Sequence, residues 1–283
     1  MRLTFGLSPC PNDTFMLEAL INNKIDRQGL DFDFILDDVE HLNKKALQGL
    51  TDISKMSIST FAAVADQYIL LDAGAAIGYN NGPVLIAKEE RAIDNISSCR
   101  IAIPGRHTTA HLLLSIAYPE ATNTEEMLFS AIENAVLTDK TDMGLIIHER
   151  RFTYANKGLC KLADLGEYWQ TKTGLPLPLG AIAVKRTINR DIQILINTLI
   201  TESILEAMKN PAAAMDFVKK YADEKEETVI YKHIQLYVNN YSVSLKDKGR
   251  KAIETLCDMA EKKGFAQRTN QQLLNSSYKC NFF

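Results

Sequence analysis

The sequence predicts an α/β protein of two lobes that close around a ligand cleft, and three observations predict it. At 283 residues the chain is long for one domain and comfortable for two. Short apolar strands alternate with helical runs along its first two thirds. Two look-alike segments, Gly82-Pro83-Val84-Leu85-Ile86-Ala87-Lys88 and Leu179-Gly180-Ala181-Ile182-Ala183-Val184-Lys185, bracket a complete α/β unit. Each is a small-residue apolar strand entered through Gly or Pro and ending in Lys. Read as crossings, they give a discontinuous large lobe (1–88 plus 179–267, with C-terminal helices), an inserted small lobe (89–178) and a loosely ordered tail (268–283). Read plainly, they are two strands of one sheet.

The elements follow in order. Leu3 to Leu7 is a short apolar strand. The stretch Ser8-Pro9-Cys10-Pro11-Asn12-Asp13-Thr14-Phe15 comes next; its two prolines hold the backbone extended and delay a helix. Asn12 and Asp13 are expected to cap a helix from Phe15 to Ile21. This loop stands at the carboxyl end of a strand, where open α/β sheets bind ligands. Asp31 to Asp37 alternates, with Phe32, Phe34 and Leu36 on one side, as a half-buried strand does. Asp38 caps a helix from Val39 to about Gln48, and Gly49 stops it. Ile53 to Met56 is a strand, Ser57 or Ser59 caps a helix from Thr60 to Ala65, and Tyr68 to Ala73 is a further strand. Inside the inserted unit, Arg100–Ile103 and Met143–Ile147 read as strands, and Thr109–Ala117 and Glu125–Glu133 as helices. A strand near 159–162 and a helix near 167–171 complete it. Beyond Val184 the pattern is helical: Ile192, Leu195, Ile196, Leu199, Ile200 and Ile204 recur at helical spacing, and Pro211 opens a second helix. Glu226–Val238 and Leu245–Lys263 make two more.

Composition narrows the function classes. A net charge of -3 gives no basic surface for nucleic acid, and no apolar run reaches the ~18 residues of a membrane span. The five cysteines (Cys10, Cys99, Cys160, Cys257, Cys280) are scattered, without CxxC or Cys/His metal spacing, and read as reduced thiols. Met1-Arg2 runs straight into the first strand with no signal-peptide pattern, so a cytoplasmic protein without membrane insertion is expected. The oligomeric state is open, and a homodimer is compatible with the sequence.

Three strand-to-helix junctions could carry chemistry. In Ser54-Lys55-Met56-Ser57-Ile58-Ser59-Thr60 the hydroxyls and helix-start amides form a ready anion site, and Lys55 adds charge; capping by Ser57 or Ser59 is the plainer alternative. In Pro104-Gly105-Arg106-His107-Thr108-Thr109-Ala110-His111, Gly105 permits a tight turn and Thr108 or Thr109 caps, but the second Gly and the Lys-Ser/Thr pair of a P-loop are missing. The third is Asp142 to Glu149. Its His148 stands directly after an apolar strand, where a histidine can present its ring to a cleft as a base; a structural or exposed ring is the plainer alternative. Glu149 orients it or faces solvent. His41, His111 and His233 read as structural or surface residues. Asp13 is first a cap and, as the alternative, a contact for substrate hydroxyls or for the base. Cys10 reads as a small buried residue.

Taken together, the opening octet, Lys55-Met56-Ser57, Gly105-Arg106-His107-Thr108-Thr109-Ala110 and Gly144-Leu145-Ile146-Ile147-His148-Glu149 resemble the 1,4-dihydroxy-6-naphthoate synthases of the futalosine route to menaquinone, over about residues 1–267. The resemblance implies the two-lobed, type II periplasmic-binding-protein-like fold with a ligand cleft between lobes. It implies a small-molecule substrate, cyclic dehypoxanthine futalosine, that carries an aromatic carboxylate. It implies a carbon–carbon lyase reaction without metal or organic cofactor. Carried over by position, His148 is the proton acceptor; Lys55, Met56 and Ser57 line one wall, and Thr109 and Ala110, with Thr108 beside them, the other. A non-catalytic solute-binding protein and the sister enzyme chorismate dehydratase share the fold; the missing signal sequence argues against the first, the opening octet and His148 against the second.

Overall fold

In the computed structural model, which describes residues 1–267, 269 and 271–274, β1 (Arg2–Leu7) leads into α1 (Pro11–Ile21) and then β2 (Asp31–Leu36), its parallel neighbour. Across this pair the Phe5 ring meets Phe32 edge-on and Phe34 at a tilt, with centroids 6.1 and 5.6 Å apart. α2 (Val39–Leu47) follows, capped by Asp38 as expected, whose carboxylate accepts from the Glu40 amide at 2.9 Å. Then come β3 (Ile53–Ser57), α3 (Ile58–Ala63), β4 (Tyr68–Leu70) and β5 (Ala76–Gly78).

The chain next builds a second sheet from β6 (Val84–Ala87), β7 (Ile101–Ile103), α4 (Thr109–Ala117), β8 (Thr124–Glu126), α5 (Ile132–Leu137), β9 (Met143–Ile146), α6 (Arg150–Thr153), β10 (Cys160–Asp164) and α7 (Leu165–Thr173). It returns through β11 (Leu177–Lys185) and ends in α8 (Arg190–Lys209), α9 (Pro211–Tyr221), α10 (Glu227–Tyr237), α11 (Asn240–Val243) and α12 (Lys246–Lys262). The larger sheet has the order β2-β1-β3-β11-β4, with β5 also on β11; the smaller has the order β10-β6-β9-β7-β8. β11 is antiparallel to both β3 and β4, so the returning strand is enclosed by the larger sheet.

Four expectations are corrected. The sequence predicts that Gly82 to Lys88 closes the first part of the large lobe; Val84–Ala87 is instead hydrogen-bonded to β9 and β10 in the smaller sheet, so the first crossing falls at 79–83. The sequence predicts a helix over Glu125–Glu133; Thr124–Glu126 is an edge strand parallel to β7, and the α-helix begins at Ile132. Its apolar face starts there because Ile132 and Val136 pack on Gly144, where a β-carbon would meet them at 2.6 and 2.9 Å. Asn12 and Asp13 are not caps: α1 starts earlier, with Pro11 in its first turn and Cys10 at the cap position. Of the tail expected to be loose, Leu274 is buried and pairs with Leu70, while 268, 270 and 275–283 lie outside the described residues.

The smaller sheet has an apolar cluster of its own around Val84, Ile132 and Ile146, and two larger ones hold the lobes. One lies between the larger sheet and α1, α8, α9 and α10, with Phe5, Phe15, Met16, Leu199 and Ile204 among its members. The other spans both sheets, joining Met56, Phe61 and Tyr68 to Leu85, Leu113, Trp169 and Leu256. The lobes therefore share a core beneath the cleft. No helix among the described residues is long and apolar enough to cross a membrane.

The first crossing is tight. The Gly82 backbone runs so close to the start of α7 that a β-carbon on Gly82 would lie 2.1 Å from the Gly166 nitrogen. Arg151 clamps the same turn, donating to the Gly82 carbonyl at 2.5 Å and to Asp164 at 3.2 Å. Because the obstacle is backbone, Gly82→Ala is expected to cost about 2 kcal/mol and to lower the thermal midpoint by roughly 5 °C, read by circular dichroism melting. An unchanged midpoint would show that the crossing relaxes freely.

Candidate functional site

A cleft opens between the two sheets, lined by residues of both. Ser8 of the β1–α1 loop, Asn12 and Asp13 in the first turn of α1, and Lys55, Met56 and Ser57 at the end of β3 line it on the larger lobe. Thr108, Thr109 and Ala110 at the start of α4 and His148 after β9 line it on the smaller. All eight residues singled out from the sequence thus face one cavity, although they come from four separate stretches of the chain. Met56 is fully buried and joins the shared apolar cluster, so it shapes the wall and offers no polar group.

The floor is a buried ion pair. Lys55 Nζ donates to Asp13 Oδ1 at 2.6 Å and to the Gly74 carbonyl at 3.0 Å. Asp13 also accepts from Ser8 Oγ and from Asn12 Nδ2, both at 2.7 Å. This is where the side chain expected to cap α1 is engaged. Asn12 in turn offers its Oδ1 to His233 Nε2 at 2.9 Å.

His148 sits half-buried with a left-handed backbone, φ +57°. Such a conformation is uncommon outside glycine and is stored strain, concentrated at functional positions. The Phe129 ring meets the imidazole edge-on at 5.1 Å, and His233 stacks on it at 6.2 Å with 18° between planes. Cys10 Sγ lies 3.4 Å from Nδ1 and 3.6 Å from Nε2. Among the described residues the Cys10 thiol is the one hydrogen-bonding contact of the imidazole nitrogens. Burial, and then the charge of Glu149, pushes the Cys10 thiol well above its ordinary pKa. A thiol held neutral this way is a poor nucleophile, in keeping with the sequence expectation.

The facing walls are tied to each other. Thr108 caps α4, accepting from the His111 amide at 3.2 Å. Thr109 Oγ1 donates to the Leu179 carbonyl at 2.7 Å and accepts from the Ser59 amide at 3.3 Å, so its hydroxyl joins the lobes. Thr60 Oγ1 donates to the His107 carbonyl at 2.8 Å. The amides of Thr109 and Ala110 belong to the first turn of α4, where no intrahelical acceptor exists, and suit an anion. Ser57 holds the cap position of α3 without a side-chain capping bond. Its amide donates to Asn43 Oδ1 at 2.9 Å and its oxygen accepts from Asn43 Nδ2 at 3.1 Å, which leaves the hydroxyl proton for a ligand.

Two features escaped the sequence. Tyr237 reaches the cleft from α10, its hydroxyl donating to the Asn81 carbonyl at 3.3 Å; burial raises it to about 12. Glu40 is buried beneath the Arg106–Thr109 turn and accepts from the His107 amide at 3.2 Å and from Asn43 Nδ2 at 3.3 Å. Burial raises its carboxyl to about 7. Gly105 permits the approach, since a β-carbon there would lie 2.4 Å from Glu40 Oε2. A polar residue in the first or last turn of a helix carries no sequence signal for such a contact. Among the described residues, no group of three or more His, Cys, Asp or Glu is placed to hold a metal ion.

Comparison with known proteins supplies the context. A family model described as menaquinone biosynthesis matches residues 3–262. A 1,4-dihydroxy-6-naphthoate synthase of Thermus thermophilus is 37% identical over 264 residues, covering 93% of this chain and 96% of that one. Its Streptomyces coelicolor counterpart is 35% identical over 268 residues, with 93% and 94% covered. A crystal structure of an Archaeoglobus fulgidus protein superposes with a TM-score of 0.88 at 36% identity, over 93% of this chain and 98% of that one. An alkanesulfonate-binding protein of Xanthomonas axonopodis superposes at 0.70 with 12% identity and 94% of each chain covered, a likeness of fold alone. The fold is thus the two-lobed, periplasmic-binding-protein-like one.

The Glu40 contact makes stability pH-dependent. Its folded pKa of about 7 exceeds the unfolded 4.5, so its contribution is complete below about 4.5 and is lost as pH rises through about 7. Glu40→Gln keeps an acceptor for the His107 amide and removes the ionisation. The variant is expected to gain on wild type by on the order of 2 kcal/mol between pH 5 and pH 8, read from urea unfolding at both. A difference that does not change with pH would refute the assignment.

Proposed function

The chain belongs to the menaquinone-biosynthesis family, and from that premise we propose that it is a lyase converting cyclic dehypoxanthine futalosine to 1,4-dihydroxy-6-naphthoate, with His148 as proton acceptor. The observation that carries this reading is the placement of His148. A strained backbone turns its ring into the cleft, where the Cys10 thiol is the one hydrogen-bonding contact of its nitrogens among the described residues, opposite a buried ammonium and two helix starts.

The chemistry follows from those groups. His148 removes a hydroxyl proton from the sugar remnant, the alkoxide collapses with cleavage of the adjacent carbon–carbon bond, and formation of the aromatic ring drives the step. The aromatic carboxylate of the substrate is held by the Thr109 and Ala110 amides or by Lys55 with the Ser57 hydroxyl, whose hydrogen bonds strengthen in a water-poor cleft. Asp13 then acts as the counter-ion that keeps Lys55 in place, its own oxygens already accepting from Ser8, Asn12 and Lys55. No metal or organic cofactor is required, and a cytoplasmic location belongs to the same proposal.

General-base catalysis is worth roughly 10²–10⁴-fold. His148→Ala is therefore expected to lose roughly that factor in turnover while binding substrate within about threefold of wild type, measured by mass detection of dihydroxynaphthoate and by calorimetry. Turnover of the wild-type protein should survive dialysis against a chelator. Near-wild-type turnover by the His148→Ala protein would sink the assignment.

A further inference from the structure

The buried side of His148 holds polar groups that the proposed chemistry does not use. His233 on α10 is fully buried and Glu149, the residue after His148, is 2% exposed. His233 Nδ1 and Glu149 Oε2 lie 3.5 Å apart, and neither atom has any hydrogen-bond partner among the described residues.

A chain of bonds fixes the protons here. Asp13, paired with Lys55, presents oxygens that only accept. The Asn12 amide must therefore turn its NH₂ toward Asp13 and its oxygen toward His233, as the 2.7 and 2.9 Å contacts require. His233 Nε2 consequently carries a hydrogen. Burial, and the proximity of His148, press the ring toward its neutral form, which leaves a lone pair on Nδ1. A bare lone pair facing a bare carboxylate in a buried site is strongly unfavourable.

We infer that Glu149 and His233 share one proton between Oε2 and Nδ1, and that the pair, anchored through Asn12 to the Asp13–Lys55 ion pair, is the positioning device for His148. This rests on the reading of His148 as the base. Glu149 comes from the smaller lobe and His233 from the helices packed on the larger. The shared proton therefore ties the residue next to the strained His148 backbone to the floor of the cleft. The flat face of His233 backs the imidazole at 6.2 Å. Neither group lines the cleft, so both act through His148 and not on substrate.

Two measurements test this. In the full chain labelled with ¹⁵N-histidine, without substrate, His233 should show the Nε2–H neutral tautomer throughout pH 5.5–8.5; an Nδ1–H tautomer, or titration within that range, overturns the proton chain. This arm stands even if the proposed substrate is not turned over. In kinetics, Glu149→Ala should lower kcat roughly 10²-fold with KM nearly unchanged, the usual result of a misplaced catalytic group. Glu149→Gln, whose amide N–H can donate to Nδ1, should restore kcat to within about fivefold of wild type, as a retained positioning contact would. Wild-type kcat in the Ala protein, or a Gln protein as impaired as the Ala one, overturns the positioning role. Should the Ala protein fail to fold, the wild-type tautomer and the Gln protein still decide.

Discussion

The interaction on which the site depends is the buried Lys55–Asp13 pair. Two charges almost removed from water carry a desolvation penalty of several kcal/mol each, and only good geometry with further hydrogen bonds offsets it. Both conditions hold: a 2.6 Å contact, with Ser8, Asn12 and the Gly74 carbonyl filling the remaining valences. A pair of this kind contributes little net stability, but it dictates orientation. It aims Lys55 from β3 at the opening loop, it sets which way Asn12 faces, and Asn12 sets the tautomer of His233. The stiff proline-flanked loop after β1 makes this work, because its side chains are presented before any ligand arrives.

A second constraint ties the lobes across the cleft. Thr109, Thr60 and Glu40 each bond to the opposite side, and the apolar cluster around Phe61, Leu113 and Trp169 continues from one sheet to the other. Hydroxyl residues that look like ligand donors in sequence are therefore partly engaged in holding the walls together. What remains for an anion is backbone: helix-start amides, which cost no side-chain entropy to present and whose direction is fixed by the helix. Ser57 differs, because Asn43 satisfies its amide and oxygen and leaves its proton toward the cavity.

Much of this was legible in the chain. Alternation in Asp31–Asp37, the Asp38 cap, the Pro211 start and the apolar run before His148 each depend on neighbours a few residues away, and each forms as expected. The Asn12–Asp13 cap failed locally, because α1 starts at Pro11; the other failures depended on distant partners. Thr124–Glu126 has helix-forming glutamates, yet its backbone completes the edge of β7. Val84–Ala87 resembles 179–185 in sequence, but pairing with β9 and β10 places it in the other sheet. His233 looked like an ordinary helix residue because its partners, Asn12 and His148, are 221 and 85 positions away along the chain.

The likeness to solute-binding proteins sharpens what a catalyst needs beyond a cleft. At 12% identity the shared architecture says nothing about chemistry, since two lobes with helix starts will hold an anion whether or not it reacts. A binding site needs donors toward the ligand's ground state. A reacting site also needs a group that accepts a proton at one atom, and that group must be fixed against its own rotamer freedom. His148 meets that requirement: its backbone is held at φ +57°, Phe129 and His233 flank its ring, and the Cys10 thiol contacts its nitrogens. Strain of that kind destabilises the fold by of order 1–3 kcal/mol and persists only where surrounding contacts over-determine it. The stacked, buried histidine behind it supplies such contacts, in a position where a receptor that merely holds a ligand would gain nothing from them.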